Sequence, residues 1–304
     1  MAPEEIAGLI CSRLEEKGCR GTVLSVEHVA QLKHEMEERL DQKEIDAGLY
    51  EKYLSHFKFD VTTNLPGTRS IIITAAPQSQ RRVTFHFNGQ TCSVIIPPTY
   101  YADTDDRIKS ILQNIMSSNG YQLHRAALPL KLLAVCSGLA RYGKNNIAYV
   151  EGLGSFVRLA AFLSDMPSDG TDRLEPRAMK ECDECKACLN ACPTGAIIPD
   201  RFLIHAERCI TFLNEWPEEF PEWLDPAWHN SLIGCMKCQI ACPVNKQFAK
   251  WVEEGETFNE AETELILNGV PLDHIPSETA HKLNHCYMAE YLDVLPRNLR
   301  ALMK

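Results

Sequence analysis

Eight of the thirteen cysteines in this 304-residue chain fall between Cys182 and Cys242, and their spacing carries recognisable chemistry. Cys182, Cys185, Cys188 and Cys192 form C-x2-C-x2-C-x3-C, closed by Pro193. A second set, Cys209 and then Cys235, Cys238 and Cys242 before Pro243, keeps C-x2-C-x3-C-P but stretches the first gap to 25 residues. Thiolates two residues apart on a tight turn can address different irons of one cubane, while the cysteine before proline serves the neighbouring cluster. The expectation is two 4Fe–4S clusters moving single electrons. Cys182, Cys185, Cys188 and Cys242 would hold one, and Cys209, Cys235, Cys238 and Cys192 the other. Zinc is the competing reading, since C-x2-C also binds it; two interleaved sets each ending in Cys-Pro favour clusters.

The insert between Cys209 and Cys235 carries Phe212, Trp216, Phe220, Trp223 and Trp228. These aromatics would either shield a cluster from water and adjust its potential or serve as ordinary core. Cys11, Cys19, Cys92, Cys136 and Cys286 show no ligand spacing and read as small buried hydrophobes.

The elements that must position these thiols can be read from periodicity. The first 60 residues read as mostly helical, with Val29, Leu32, Met36 and Leu40 at helical spacing and Ser25 as a cap. Ser70 to Ala76 reads as a buried strand. Val83, Phe85 and Phe87 alternate, as do Cys92, Val94 and Ile96, and Asn88-Gly89 between them supplies the positive φ angles of a type I′ hairpin turn. Ile108, Ile111, Leu112, Ile115 and Met116 mark an amphipathic helix ending near Asn119-Gly120, and another helix is expected over 128–137. Ser155 to Leu163 fits either strand or helix. The mixture predicts an α/β (α+β) core. The polar stretch from Pro167 to Arg177 suggests a boundary, giving domains over 1–166, 167–250 (the cysteine region) and 251–304, the last a helical segment packing on the core.

The net charge of −10 disfavours nucleic-acid binding, which needs concentrated Lys and Arg. No apolar run is long enough for a membrane span, and the N-terminus lacks the basic start and apolar stretch of a secretion signal, so a cytoplasmic location is expected.

The cysteine region, together with SGLARYGKNN (Ser137 to Asn146), GLGSFVRLAAFLSDMP (Gly152 to Pro167) and the terminal PRNLRALMK, resembles epoxyqueuosine reductases and, more distantly, reductive dehalogenases. The resemblance implies a nitroreductase-like cobalamin-binding core followed by a bacterial-ferredoxin-like domain with two 4Fe–4S clusters. It implies cobalamin contacts at Gly138, Gly143, Lys144, Asn145, Gly152, Gly154 and Ser155, with a plain turn as the bland reading of Lys144 and Asn145. Aligned on Leu133-Ala134, the family's proposed acid, an aspartate, falls at His124. Histidine can donate a proton near neutral pH, so His124 and Tyr101 are the candidate proton donors. The tRNA-modifying members carry a further helical-repeat segment where this sequence stops at Lys304, and with the acidic balance this weakens a tRNA substrate.

The leading expectation is therefore a cobalamin-dependent reductase of a small molecule, supplied with electrons by a reduced ferredoxin or flavodoxin. The alternatives are a non-enzymatic carrier or activator serving a corrinoid protein, an enzyme with flavin in the pocket, and an epoxyqueuosine (tRNA) reductase.

Overall fold

Ser70–Pro77 and Val157–Ser164 are apolar at nearly every position, and each is a strand buried on both faces. The computed structural model describes residues 1–100, 103–168, 176 and 178–304, except for the side chain of Lys52. The chain divides into two units, Met1–Gln78 with Ala102–Cys185, and Ser79–Tyr101 with Lys186–Lys304.

The first unit contains α1 (Pro3–Glu15), β1 (Arg20–Ser25), α2 (His28–Asp41), the single turn α3 (Ala47–Leu49) and β2 (Ser70–Pro77). After the excursion into the second unit come α4 (Asp103–Ser118), β5 (Leu123–Arg125), α5 (Leu130–Cys136), β6 (Ala140–Tyr142), β7 (Ala148–Val150) and β8 (Val157–Ser164). An antiparallel sheet runs β1-β2-β8-β5. Side chains alternate across it. Ile72, Ala76, Ala160 and Phe162 meet Ile6, Ile10 and Leu14 of α1 and Ile108, Leu112 and Met116 of α4. On that face Asp105 of α4 is buried and takes two bonds from Arg158, at 3.0 and 2.8 Å, and one from Arg125. The opposite face is covered by α5.

The second unit contains β3 (Gln80–Phe87), β4 (Gln90–Ile96), α6 (Ala187–Ala191), α7 (Ile210–Glu215), α8 (Lys237–Ile240), β9 (Val252–Phe258), α9 (Glu260–Leu267), α10 (Ser277–His285) and α11 (Leu295–Leu302). The expected hairpin is present: β3 pairs with β4, and Asn88 and Gly89 both have positive φ, 51° and 70°. Val83, Phe85, Val94 and Ile96 join Phe258, Ile266, Leu283, Leu295 and Leu299 in one core.

Several expectations change. The first 60 residues contain β1, and Ser25 lies in it: its hydroxyl accepts from the Glu27 amide in a turn, and Glu27 is the residue that precedes α2. Ser155 to Leu163 resolves as strand. The segment 251–304 is not wholly helical, because β9 pairs in parallel with β3. That pairing draws Ser79–Tyr101 into the second unit, so the chain does not divide simply at residue 167. Most of the stretch 167–177 lies outside the described residues.

Candidate functional site

The two C-x3-C-P segments of the second unit fold in the same way. Cys188 lies in α6 and Cys238 in α8, two helices of one turn that pack against each other. The last cysteine of each run is extended, Cys192 at φ −80°, ψ 107° and Cys242 at φ −71°, ψ 123°. Proline imposes this on the preceding residue, and it turns the thiol out of the helix that carries its neighbours.

Cys192, Cys209 and Cys235, three members of one expected set, influence one another electrostatically. Burial pushes the Cys209 thiol up to about 11, with a further push from the thiolate of Cys235. Burial also raises Cys235, and Cys192 adds to it, while the Asn230 amide and Lys237 act the other way. Asn230 Nδ2 donates to Cys235 Sγ at 3.2 Å, and its Oδ1 accepts from the Met236 amide at 2.8 Å. The Thr194 hydroxyl lies 3.5 Å from Cys192 Sγ. Cys238 follows three residues after Cys235, inside α8. Among the described residues no three His, Cys, Asp or Glu side chains converge on a point that one metal ion could occupy.

The insert closes over this group. Phe212, Phe220, Trp228 and Cys235 pack on a small core of Ile210, Leu213 and Leu224. Trp223 is exposed and lies under Arg208 instead. The terminal PRNLR run holds the insert in place. Asn298 Nδ2 donates to the carbonyls of Asn214 and Leu232, both at 2.8 Å, and Arg297 donates to that of Leu213 at 2.9 Å while stacking on Phe220. Asn214 in turn donates to the Gly234 carbonyl at 2.9 Å, just before Cys235. Gly234, at φ 67°, lies so close to the Tyr100 ring that a Cβ would sit 2.6 Å from its hydroxyl, and that hydroxyl donates to Glu215.

In the first unit, the β6–β7 turn lies beside the two cysteines that open the first run. The Met179 amide donates to the Tyr142 carbonyl at 2.8 Å, the Cys182 amide donates to the Met179 carbonyl at 3.0 Å, and Lys144 Nζ donates to the Cys185 carbonyl at 3.4 Å. Asn145 is 3% exposed and its side chain is spent inside the turn, donating to the Tyr149 hydroxyl at 3.1 Å and accepting from the Ile147 amide at 3.3 Å. Gly143 is required by the same turn, since a Cβ would meet Asn145 and Tyr149 at 2.6 Å. For these two residues the geometry is that of a plain turn. Gly138, Gly152 and Gly154 have positive φ, and Ser155 is buried.

His124 is exposed on the edge strand β5, opposite Leu163 and on the sheet face that α5 covers. Tyr101 lies outside the described residues. Of the cysteines without ligand spacing, Cys19, Cys136 and Cys286 are buried, while Cys11 and Cys92 are half-buried. Asn230, Tyr100, Arg297 and Asn298 carry no spacing signal; a polar residue a few positions before a C-x2-C turn was the one available cue to Asn230.

Residues 181–245 match the model of the 4Fe-4S double cluster binding domain. The epoxyqueuosine reductase of Burkholderia pseudomallei is 33% identical over 158 residues, 48% of this chain and 38% of that protein. That of Escherichia coli is 36% identical over 123 residues, 40% of this chain and 31% of that protein. The Bacillus subtilis protein is 31% identical over 142 residues, 47% of this chain and 35% of its own. The matched segment thus spans little more than a third of these relatives' own length. Among solved structures, a selenomethionine-labelled epoxyqueuosine reductase superposes with a TM-score of 0.67 at 20% identity, over 99% of this chain and 82% of that one. An epoxyqueuosine reductase with an epoxyqueuosine-modified tRNA-Tyr stem loop gives 0.66 at 21%, over 99% and 80%. The chain shares the fold of epoxyqueuosine reductases, is related to them in sequence over two fifths to a half of its own length, and carries a double 4Fe–4S cluster-binding domain across residues 181–245.

Proposed function

We propose that this chain is an iron–sulfur reductase acting on epoxyqueuosine in tRNA, with Cys182, Cys185, Cys188 and Cys242 holding one 4Fe–4S cluster and Cys192, Cys209, Cys235 and Cys238 the other. The observation that carries the reading is the match of residues 181–245, which contain all eight of these cysteines, to a double-cluster domain. Sequence identity above 30% to epoxyqueuosine reductases then points to the substrate. This reverses the expected order, in which a small molecule came first and the acidic balance and the absent helical-repeat segment weakened tRNA. A net charge of −10 is a sum over the whole surface, whereas RNA needs only a local concentration of cations.

Removing an epoxide oxygen as water takes two electrons and two protons. Two clusters supply one-electron steps. The chain's own residues hold them, exclude water with the aromatic insert, and deliver protons. His124 is the described candidate donor, and its exposed edge position leaves it open to a substrate. A corrinoid is the finer part of this reading and rests on resemblance. Asn145 is committed to its own turn, so Lys144 and the backbone of Gly152 to Ser155 are the groups that would meet it.

Anaerobic reconstitution is expected to load about eight irons per chain, and incubation with epoxyqueuosine-containing tRNA and reductant is expected to convert the nucleoside. Full iron loading without conversion would leave a carrier in place of the enzyme. Absorption during a cobalamin titration separately tests the corrinoid, and unchanged turnover of His124→Ala discards that proton donor.

A further inference from the structure

Cys238 and Cys242 are flanked by side chains unusual for this chain. Ile240 is 48% exposed and Val244 37%, one on either side of Cys242. Residues 235–251 contain Lys237, Lys246 and Lys250 and no Asp or Glu, in a chain with ten more acidic than basic residues. Lys246 and Lys250 are exposed. The next acids, Glu253 and Glu254, stand opposite Arg81 and Arg82 in the β3–β9 ladder, and Glu254 is ion-paired with Arg82, so they do not cancel the lysines. Beside Ile240 opens a mainly apolar depression of about 330 Å³, walled by Ile95, Ala191, Met236 and Ala241 and reaching Asn230. Asn230 is the residue whose amide touches Cys235 Sγ.

We infer that this face is the electron-entry surface for a small acidic one-electron carrier protein, of the ferredoxin or flavodoxin class; the inference rests on the two-cluster reading above. Exposed aliphatic side chains in a segment whose only charges are lysines suit a transient encounter, which buries under about 1,200 Å² and takes its speed from complementary charge. The aliphatic side chains are what favour a protein over RNA, because phosphates gain nothing from Ile240 and Val244. Contact there brings the carrier against Asn230, whose amide touches Cys235 Sγ at 3.2 Å. Each encounter oxidises the carrier by one electron and reduces one cluster by one, with no bond made or broken. Two encounters supply the pair of electrons the reduction consumes.

The test uses the full reconstituted chain in anaerobic stopped-flow, reduced either by a photoreduced 2Fe–2S ferredoxin or by photoreduced 5-deazariboflavin, which is small and neutral. Replacing both lysines (K246Q with K250Q) is expected to slow reduction by ferredoxin roughly threefold to tenfold at low salt and to flatten its salt dependence. Charge reversal (K246E with K250E) slows it further. Iron content and the deazaflavin rate stay the same in both. An unchanged ferredoxin rate with full iron overturns the docking inference alone, and so does an unchanged rate accompanied by weaker binding of a tRNA stem loop, which assigns the patch to RNA. A wild-type chain that takes up no iron overturns the cluster reading as well.

Discussion

Asn230 and Cys235 are joined side chain to side chain: the amide nitrogen of the first donates to the sulfur of the second at 3.2 Å. The asparagine cannot turn away, because its oxygen is engaged by the Met236 amide at 2.8 Å. A donor fixed on a cluster sulfur stabilises the more negative, reduced state and so raises the potential. A hydrogen bond worth about 0.5–1.5 kcal/mol corresponds, for one electron, to a shift on the order of 20–60 mV. Asn230→Ala is therefore expected to lower the midpoint potential of one cluster by that amount, and Asn230→Asp by more. An EPR-monitored redox titration measures it, with iron content as the control. Two unshifted midpoints would refute the role given to Asn230.

The proposed crossed ligation makes a second prediction. Cys192 sits in the first run by sequence, yet its charge contributes to raising the Cys235 thiol of the second. Cys192→Ala and Cys209→Ala are each expected to cut iron from about eight to about four per chain and to leave the same EPR signal behind. Cys11→Ala and Cys92→Ala leave all eight, since those thiols are half-buried away from any ligand spacing. Different residual signals from the first pair would break the assignment.

The legible parts of this protein were those fixed by local rules. Asn88-Gly89 set the hairpin because few other pairs accept positive φ at both turn positions. The cysteine runs were readable because cluster ligation constrains spacing. The burial of β8 on both faces erased the alternation that distinguishes strand from helix. The strand β9, VEEGETF, is polar enough to read as loop. Its pairing with β3 depends on Gly255, where a Cβ would come within 3.0 Å of the Arg82 carbonyl at the register shift. Asn145 was a cofactor contact only through the family resemblance, with a plain turn as its other reading, and its side chain makes its bonds within that turn. Asn298 and Arg297 act on residues more than 60 positions away, which no local pattern encodes.

That long-range clamp gives a stability prediction. Asn298 is fully buried, and its amide is the donor to two backbone carbonyls, those of Asn214 and Leu232. Asn298→Ala leaves the Leu232 carbonyl without this donor and the Asn214 carbonyl with only the Arg297 contact at 3.5 Å, at up to about 1–3 kcal/mol each, so a loss of roughly 2–6 kcal/mol is expected in chemical denaturation. Asn298→Asp keeps the shape but removes the donor and should fare no better. A loss under about 0.5 kcal/mol would mean that water takes over the bonds.

Glu262 provides the pH dependence. Burial raises its pKa, but the Lys282 ammonium, the Asn259 amide and the Thr279 hydroxyl outweigh that effect and hold it below the usual carboxylate range. The unfolded chain has a Glu pKa near 4.3, so between that value and the lower folded one the unfolded state binds more protons. Stability from this group is then fully present above about pH 5, and it is lost as pH falls through the folded pKa. Glu262→Gln lacks this contribution at every pH. The gap in denaturation midpoint between wild type and variant is expected to be widest near neutrality and to shrink below about pH 4.3. A gap that stays constant, or widens in acid, would show that the carboxylate of Glu262 is not what ties α9 to Lys282 of α10.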